Sequence, residues 1–190
     1  MSESIQFVFH PEKAIQASAL LLKLKGGRMK YLGLLKMLYI ADRIALEQLE
    51  MPITGDCYVS MKYGLVLSRV YDLIKGQPVA DILPLWTKFI LLRFEDYYVY
   101  LKQDPGNSEL CEEEEDILNR VYYSFGHLDP FTVAEWTHSL PEWQQPQPIT
   151  SFIPIAVEDI LHNLGKSNAE IEEIRQFTLQ EAYFNKVLNA

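Results

Sequence analysis

The sequence predicts a mainly α-helical domain of the α+β kind, several helices packed compactly around a small β-hairpin. Three observations lead there. Apolar residues recur at three- and four-residue spacings through most of the chain. Glycine and proline divide those stretches into helix-sized pieces. One segment, residues 89–102, is instead rich in aromatic and branched residues, as strands are.

The chain has 190 residues, of which 48% are hydrophobic, enough for one real core. We read residues 1–190 as a single domain ending in an amphipathic helix at about 167–188. His10-Pro11-Glu12 opens the first helix, with proline in its first turn. Ile15, Ala19 and Leu22 give it a stripe, and Gly26-Gly27 ends it. The second helix runs from about Lys30 to Leu49. Leu35, Leu38, Asp42, Ala45, Leu46 and Leu49 fall on one side of it, so Asp42 interrupts an apolar stripe. A carboxylate there must find donors or hold a proton. The simplest reading is that a loop packed on the helix supplies those donors.

That loop is Pro52-Ile53-Thr54-Gly55-Asp56, which has turn chemistry. Residues 57–62 alternate as a short half-buried strand, Gly64 bends the chain, and Ser68 is placed to N-cap the next helix. FILLRF (89–94) and YYVYLK (97–102) read as a hairpin turning at Glu95-Asp96. The acidic run CEEEED (111–116) suggests a metal site or tail. Acids in the first turn of a helix, set against its positive end, explain it better. Asp129-Pro130 starts a short helix to His138, and a further helix is expected from Pro154 to Leu164. Trp143, beside a proline-rich bend, suits the sealing of a core edge.

Charge and motifs exclude much. The net charge is −9, so nucleic acid is not an expected partner without a concentrated basic face. One local excess exists, Lys23, Lys25, Arg28, Lys30 and Lys36, read either as solvated helix ends or as a docking patch for an acidic partner. No run of apolar residues is long enough for a membrane span, and the N-terminus lacks a secretory pattern. Two cysteines, Cys57 and Cys111, form no CxxC pair, which suits a reducing cytoplasm. There is no HExxH, GxSxG, Walker, GxGxxG or EF-hand motif, and the four histidines do not pair at helical spacing. We therefore expect no catalytic residues, no metal site, no cofactor and no enzyme activity. His138 is expected at a helix end, where a positive charge would suit the terminus.

Taken together, Lys36-Met37-Leu38-Tyr39-Ile40-Ala41-Asp42, the 52–56 turn, Tyr58–Gly64 followed by Ser68 and Val70-Tyr71, Phe125-Gly126-His127-Leu128, Trp136-Thr137-His138 and Trp143 resemble the Panacea-domain family, the SocA-like antitoxins of bacterial toxin–antitoxin pairs. The resemblance covers about Lys30 to Trp143. It departs at Gly64-Leu65-Val66-Leu67-Ser68, where the family usually carries GPVPS. Two fixed proline backbones are lost there, and two leucines must be buried or presented.

The resemblance implies a helical domain with a small β element. It also implies a cytoplasmic antitoxin that neutralises a cognate toxin, commonly encoded by a neighbouring gene, through direct protein–protein binding. The alternative is a phage- or prophage-associated adaptor that delivers a partner to proteolysis. Motif positions are Asp42, Gly55, Gly64, Ser68, His138 and Trp143. Candidate contacts with the partner are Lys23, Lys25, Arg28, Leu65, Leu67 and Trp136.

Overall fold

The computed structural model describes residues 4–148 and 150–188. In chain order it contains α1 (Pro11–Leu24), β1 (Arg28–Lys30), α2 (Tyr31–Leu49), β2 (Tyr58–Met61), β3 (Gly64–Leu67), α3 (Ser68–Ile74) and α4 (Leu83–Phe89). There follow β4 (Ile90–Arg93), β5 (Tyr98–Leu101), α5 (Glu112–Phe125), α6 (Pro130–His138), β6 (Ile153–Ile155), α7 (Val157–Asn163) and α8 (Asn168–Leu188). The mainly helical α+β class is what the sequence predicts.

Helix α2 is the axis. Every residue from Gly33 to Asp42 is buried, so the helix is enclosed on all sides over that stretch. Helices α1, α5 and α6 and strand β3 pack around it. Its surroundings form one continuous core that reaches from Ile5 to Ile174 and includes the fully enclosed Trp86.

The predicted hairpin is present with shorter strands, Ile90–Arg93 against Tyr98–Leu101, and a four-residue connection. Glu-Asp is a poor pair for a two-residue turn. The chain instead opens Phe94–Tyr97, places Tyr97 at φ +60°, and lets Asp96 accept from the Tyr98 amide at 3.0 Å. Strand β1 joins the hairpin, giving an antiparallel sheet ordered β1-β5-β4. A second sheet, β3-β2-β6, joins the 58–67 hairpin to Ile153–Ile155.

Four elements lie outside the sequence reading: β1, β3, α4 and β6. Residues 153–155 pair as a strand, so the helix expected from Pro154 starts only at Val157. The acidic run begins α5 as expected, with Cys111 at its N-cap and a capping box to Glu114. Glu114 also receives Lys13 at 2.6 Å, tying α5 to α1. Among the described residues, no cluster of three or more His, Cys, Asp and Glu is arranged to hold a metal ion. No described helix is long and apolar enough to cross a membrane.

Candidate functional site

Asp42 is fully buried, and the 52–56 loop and the first residue of β2 provide its donors. Oδ1 accepts the amides of Ile53 and Thr54, both at 3.0 Å. Oδ2 accepts the Thr54 hydroxyl at 2.6 Å and the Tyr58 hydroxyl at 3.2 Å. Burial pushes the carboxyl up to about 7, against the pull of the Thr54 hydrogen bonds. The loop is pinned from its other side by the N-terminal segment. Gly55 has φ +68°, and a Cβ there would stand 1.9 Å from the Val8 carbonyl oxygen.

A second buried carboxylate, Asp56, was not singled out in the sequence. It accepts the amides of Cys57 at 2.6 Å, Arg69 at 3.0 Å and Val70 at 2.9 Å. It therefore supplies the N-terminal donors of α3 with an acceptor. Ser68, expected as that cap, is the first helical residue; its side chain caps nothing, and its amide donates to Cys57 O at 2.8 Å. The signal available was Asp56 itself, an acid closing a turn just before a strand.

Six residues back along α2, Lys36 is also fully buried. Its ammonium donates to Leu65 O at 2.8 Å, and burial drives its pKa down to about 7. The sequence reading placed Lys36 in a solvated basic patch; the enclosure of α2 removes it. Gly64 lies against the same amine. With φ +91°, a Cβ there would meet Thr137 Oγ1 at 2.2 Å and Lys36 Nζ at 3.2 Å. Glycine is needed for space and for the left-handed backbone together.

His138 stacks on Trp143, centroids 4.1 Å apart and planes 25° from parallel. Burial and the nearby Lys36 charge hold His138 below the ordinary histidine range, so the charge expected at this helix end is disfavoured. Its Nε2 is buried without a hydrogen-bond partner among the described residues. Trp143 Nε1 donates to Met61 O at 3.3 Å, at the end of the second sheet's central strand. Next to it, Glu142 accepts Tyr39 at 2.8 Å and Arg43 at 2.6 Å on one oxygen, and Asn163 at 3.2 Å on the other. Burial pushes Glu142 up, but its hydrogen bond and charge pair with Arg43 prevail and hold it below the usual range. Asp42, Gly55, Gly64, His138 and Trp143 thus belong to one polar seam joining α2 to the loops around it.

A model of the family described as "Antitoxin SocA-like, Panacea domain" matches residues 34–144. The chain belongs to this family. Comparison with curated proteins and with solved structures gave no match. The Panacea match takes in the whole seam from α2 to Trp143, apart from Asn163, and leaves α1, β1, β6, α7 and α8 outside it.

The candidate contact residues divide. Leu65 and Leu67, proposed as presented leucines, are both 0% exposed. All four residues of β3 are buried between the strand's neighbours and α2, which corrects that expectation. Lys23 is paired with Asp104 at 3.1 Å, and Lys25 donates to Gly126 O at 2.6 Å.

Arg28 and Trp136 do face solvent. Arg28 lines a cleft of about 300 Å³ with Lys25, Lys30, Phe125 and Pro130, and Trp136 packs on Phe125 with centroids 4.8 Å apart. Beside this cleft stand Tyr63, Tyr97 and Phe131, each more than half exposed. Tyr63 meets Phe131 edge-on at 6.0 Å. Those three were not named from sequence. They sit in turns or at a helix start, where no periodicity marks a face.

Proposed function

We propose that this Panacea-domain protein is an antitoxin that neutralises a cognate toxin by binding it directly, without a chemical step. The observation carrying the reading is the open face just described: Tyr63, Tyr97, Phe131 and Trp136 exposed around a cleft with a basic rim. Grouped solvent-facing aromatics of this kind are the usual anchors of protein interfaces. The seam supports the absence of catalysis. Both oxygens of Asp42 are filled by protein donors, and Asp42 has no exposed surface to offer a substrate.

The partner fitting this reading is a toxin protein encoded by an adjacent gene and met in the cytoplasm. Co-expression with that gene tests it. Growth should recover when both are produced, and the two proteins should co-purify at a fixed ratio. A toxic neighbour that is neither relieved nor bound overturns the proposal.

A further inference from the structure

The outward face of the β1-β5-β4 sheet is ordered by its register. Arg28 lies opposite Tyr100, and Tyr100 opposite Leu91. One step along, Lys30 lies opposite Tyr98, and Tyr98 opposite Arg93. Met29, Val99 and Leu92 fill the alternate row and turn inward. Three cations, two tyrosines and Leu91 therefore form two cross-strand rows on one solvent-facing surface.

These cations differ from others in the chain. Lys13, Lys23, Arg43, Arg120, Lys166 and Arg175 are each in an ion pair with an acid of the protein. Arg28, Lys30 and Arg93 have no such ion pair among the described residues. Arg28 instead lies over Tyr98 and Tyr100, at 5.5 and 5.9 Å from the ring centroids, and Arg93 lies 4.7 Å from that of Tyr100. The hairpin acid, Asp96, is held by the Tyr98 amide and the Tyr100 hydroxyl, both at 3.0 Å.

Arg28 also donates one N–H to the Tyr100 hydroxyl at 3.5 Å; the N–H groups that a ring-stacked guanidinium has left over match a carboxylate with two parallel hydrogen bonds. Asp96 attracts Arg28 and Arg93 without closing an ion pair on either, but the three cations outnumber the hairpin's two acids, Glu95 and Asp96, and on a chain of net charge −9 that local cationic excess is complementary to acid. Base stacking fits less well: Arg28 and Arg93 already lie over the tyrosine rings, and the rest of the acidic chain repels a polyanion.

We propose that this sheet face, continuous through Arg28 and Lys30 with the cleft, binds a carboxylate-rich segment of the partner protein, with Arg28 and Arg93 as its bidentate anchors. The inference rests on the antitoxin reading for the partner's identity, but the face can be tested apart from it.

Two arms decide it. In the first, fluorescence anisotropy at physiological salt compares a labelled ten-residue polyglutamate peptide with a labelled single-stranded RNA of the same length. The peptide should bind the wild-type chain, and the Arg28→Glu/Arg93→Glu variant should weaken it about tenfold or more. An unchanged thermal unfolding curve should show that the variant folds. Failure of the peptide to bind, equal binding by the variant, or tighter binding of the RNA overturns the inference. Self-association of the wild type that the double variant abolishes also overturns it, by giving the face to a second copy.

In the second arm, the same variant is co-expressed with the adjacent toxin gene. Rescue by the wild type but not the variant supports the face. Rescue by both removes this inference and leaves the antitoxin reading standing. No rescue by either removes the antitoxin reading, and the peptide arm alone then decides the face.

Discussion

The seam around Asp42 and the open face around Arg28 are made from similar residues put to opposite uses. Each contains lysine or arginine, tyrosine and a carboxylate. In the seam, Lys36, Tyr39, Asp42, Arg43 and Glu142 satisfy one another or the backbone, and all but the half-buried Arg43 are shut away from water. On the face, Arg28, Lys30 and Arg93 lie in solvent and form no ion pair among the described residues. The residues that carry the family resemblance lie mostly in the seam. Most of the family motif here records what holds a framework together; Tyr63, Phe125 and Trp136 are the motif residues that reach the open face.

The most severe test of that division is Asp42→Ala. It leaves two amides and two hydroxyls buried without an acceptor, for a loss of about 4 kcal/mol in urea unfolding. Asp42→Asn keeps one acceptor oxygen for the Ile53 and Thr54 amides and should lose much less. If the alanine variant unfolds at the wild-type midpoint, the seam does not hold the framework.

Titration of the seam gives the next effect. Asp42 is raised from an ordinary 3.8 to about 7 and Asp56 to about 6. Between those values the folded chain holds protons that the unfolded chain has released, so stability falls as pH rises from about 4 to 7. Lys36, lowered from 10.5 to about 7, acts oppositely. There the unfolded chain binds the extra proton, and stability climbs as pH rises above 7. The difference between wild type and Asp42→Asn should therefore shrink through the acid window, and Lys36→Met should flatten the alkaline limb. Parallel profiles for all three chains would contradict the assignment.

Gly64→Ala should cost about 2 kcal/mol, through a Cβ 2.2 Å from Thr137 Oγ1 and an unfavourable backbone. Thr137→Ala removes that oxygen, so the double variant should lose less than the sum of the singles. Additive losses would mean that the backbone alone is strained.

How much of this was legible follows from what each feature depends on. Asp42 and its loop could be read because a lone acid in a three-and-four pattern has few solutions, and a turn-forming loop follows directly. The short strands β1 and β6 could not: three residues carry no period, and their partners lie about 70 and 95 positions away. Leu65 and Leu67 were misjudged for a related reason. Loss of the family's prolines says that the backbone is freer, whereas burial depends on α2 and α6 packing against β3 from distant parts of the chain. The Arg28–Tyr100–Arg93 surface needed the pairing register before its members could be seen together.

On the open side, Phe131→Ala should leave stability within about 1 kcal/mol, because the ring is 54% exposed. If it anchors the partner, affinity for the toxin should fall by about 2 kcal/mol, roughly thirtyfold by titration calorimetry. A large drop in melting temperature instead would place Phe131 with the framework and weaken the contrast drawn here.

Ser68→Ala should do least of all. From sequence it is the cap of α3, and loss of a capping serine costs about 1 kcal/mol. In the structure that task falls to Asp56, whose two oxygens accept the Arg69 and Val70 amides, while the Ser68 hydroxyl makes no hydrogen bond among the described residues. Its removal should change the unfolding midpoint by less than about 0.5 kcal/mol equivalent. Asp56→Ala, which strips the acceptor from three amides, should cost several times more. The pair separates a residue that merely sits at a motif position from one on which the seam depends. A Ser68→Ala loss as large as that of Asp56→Ala would return the capping role to the serine.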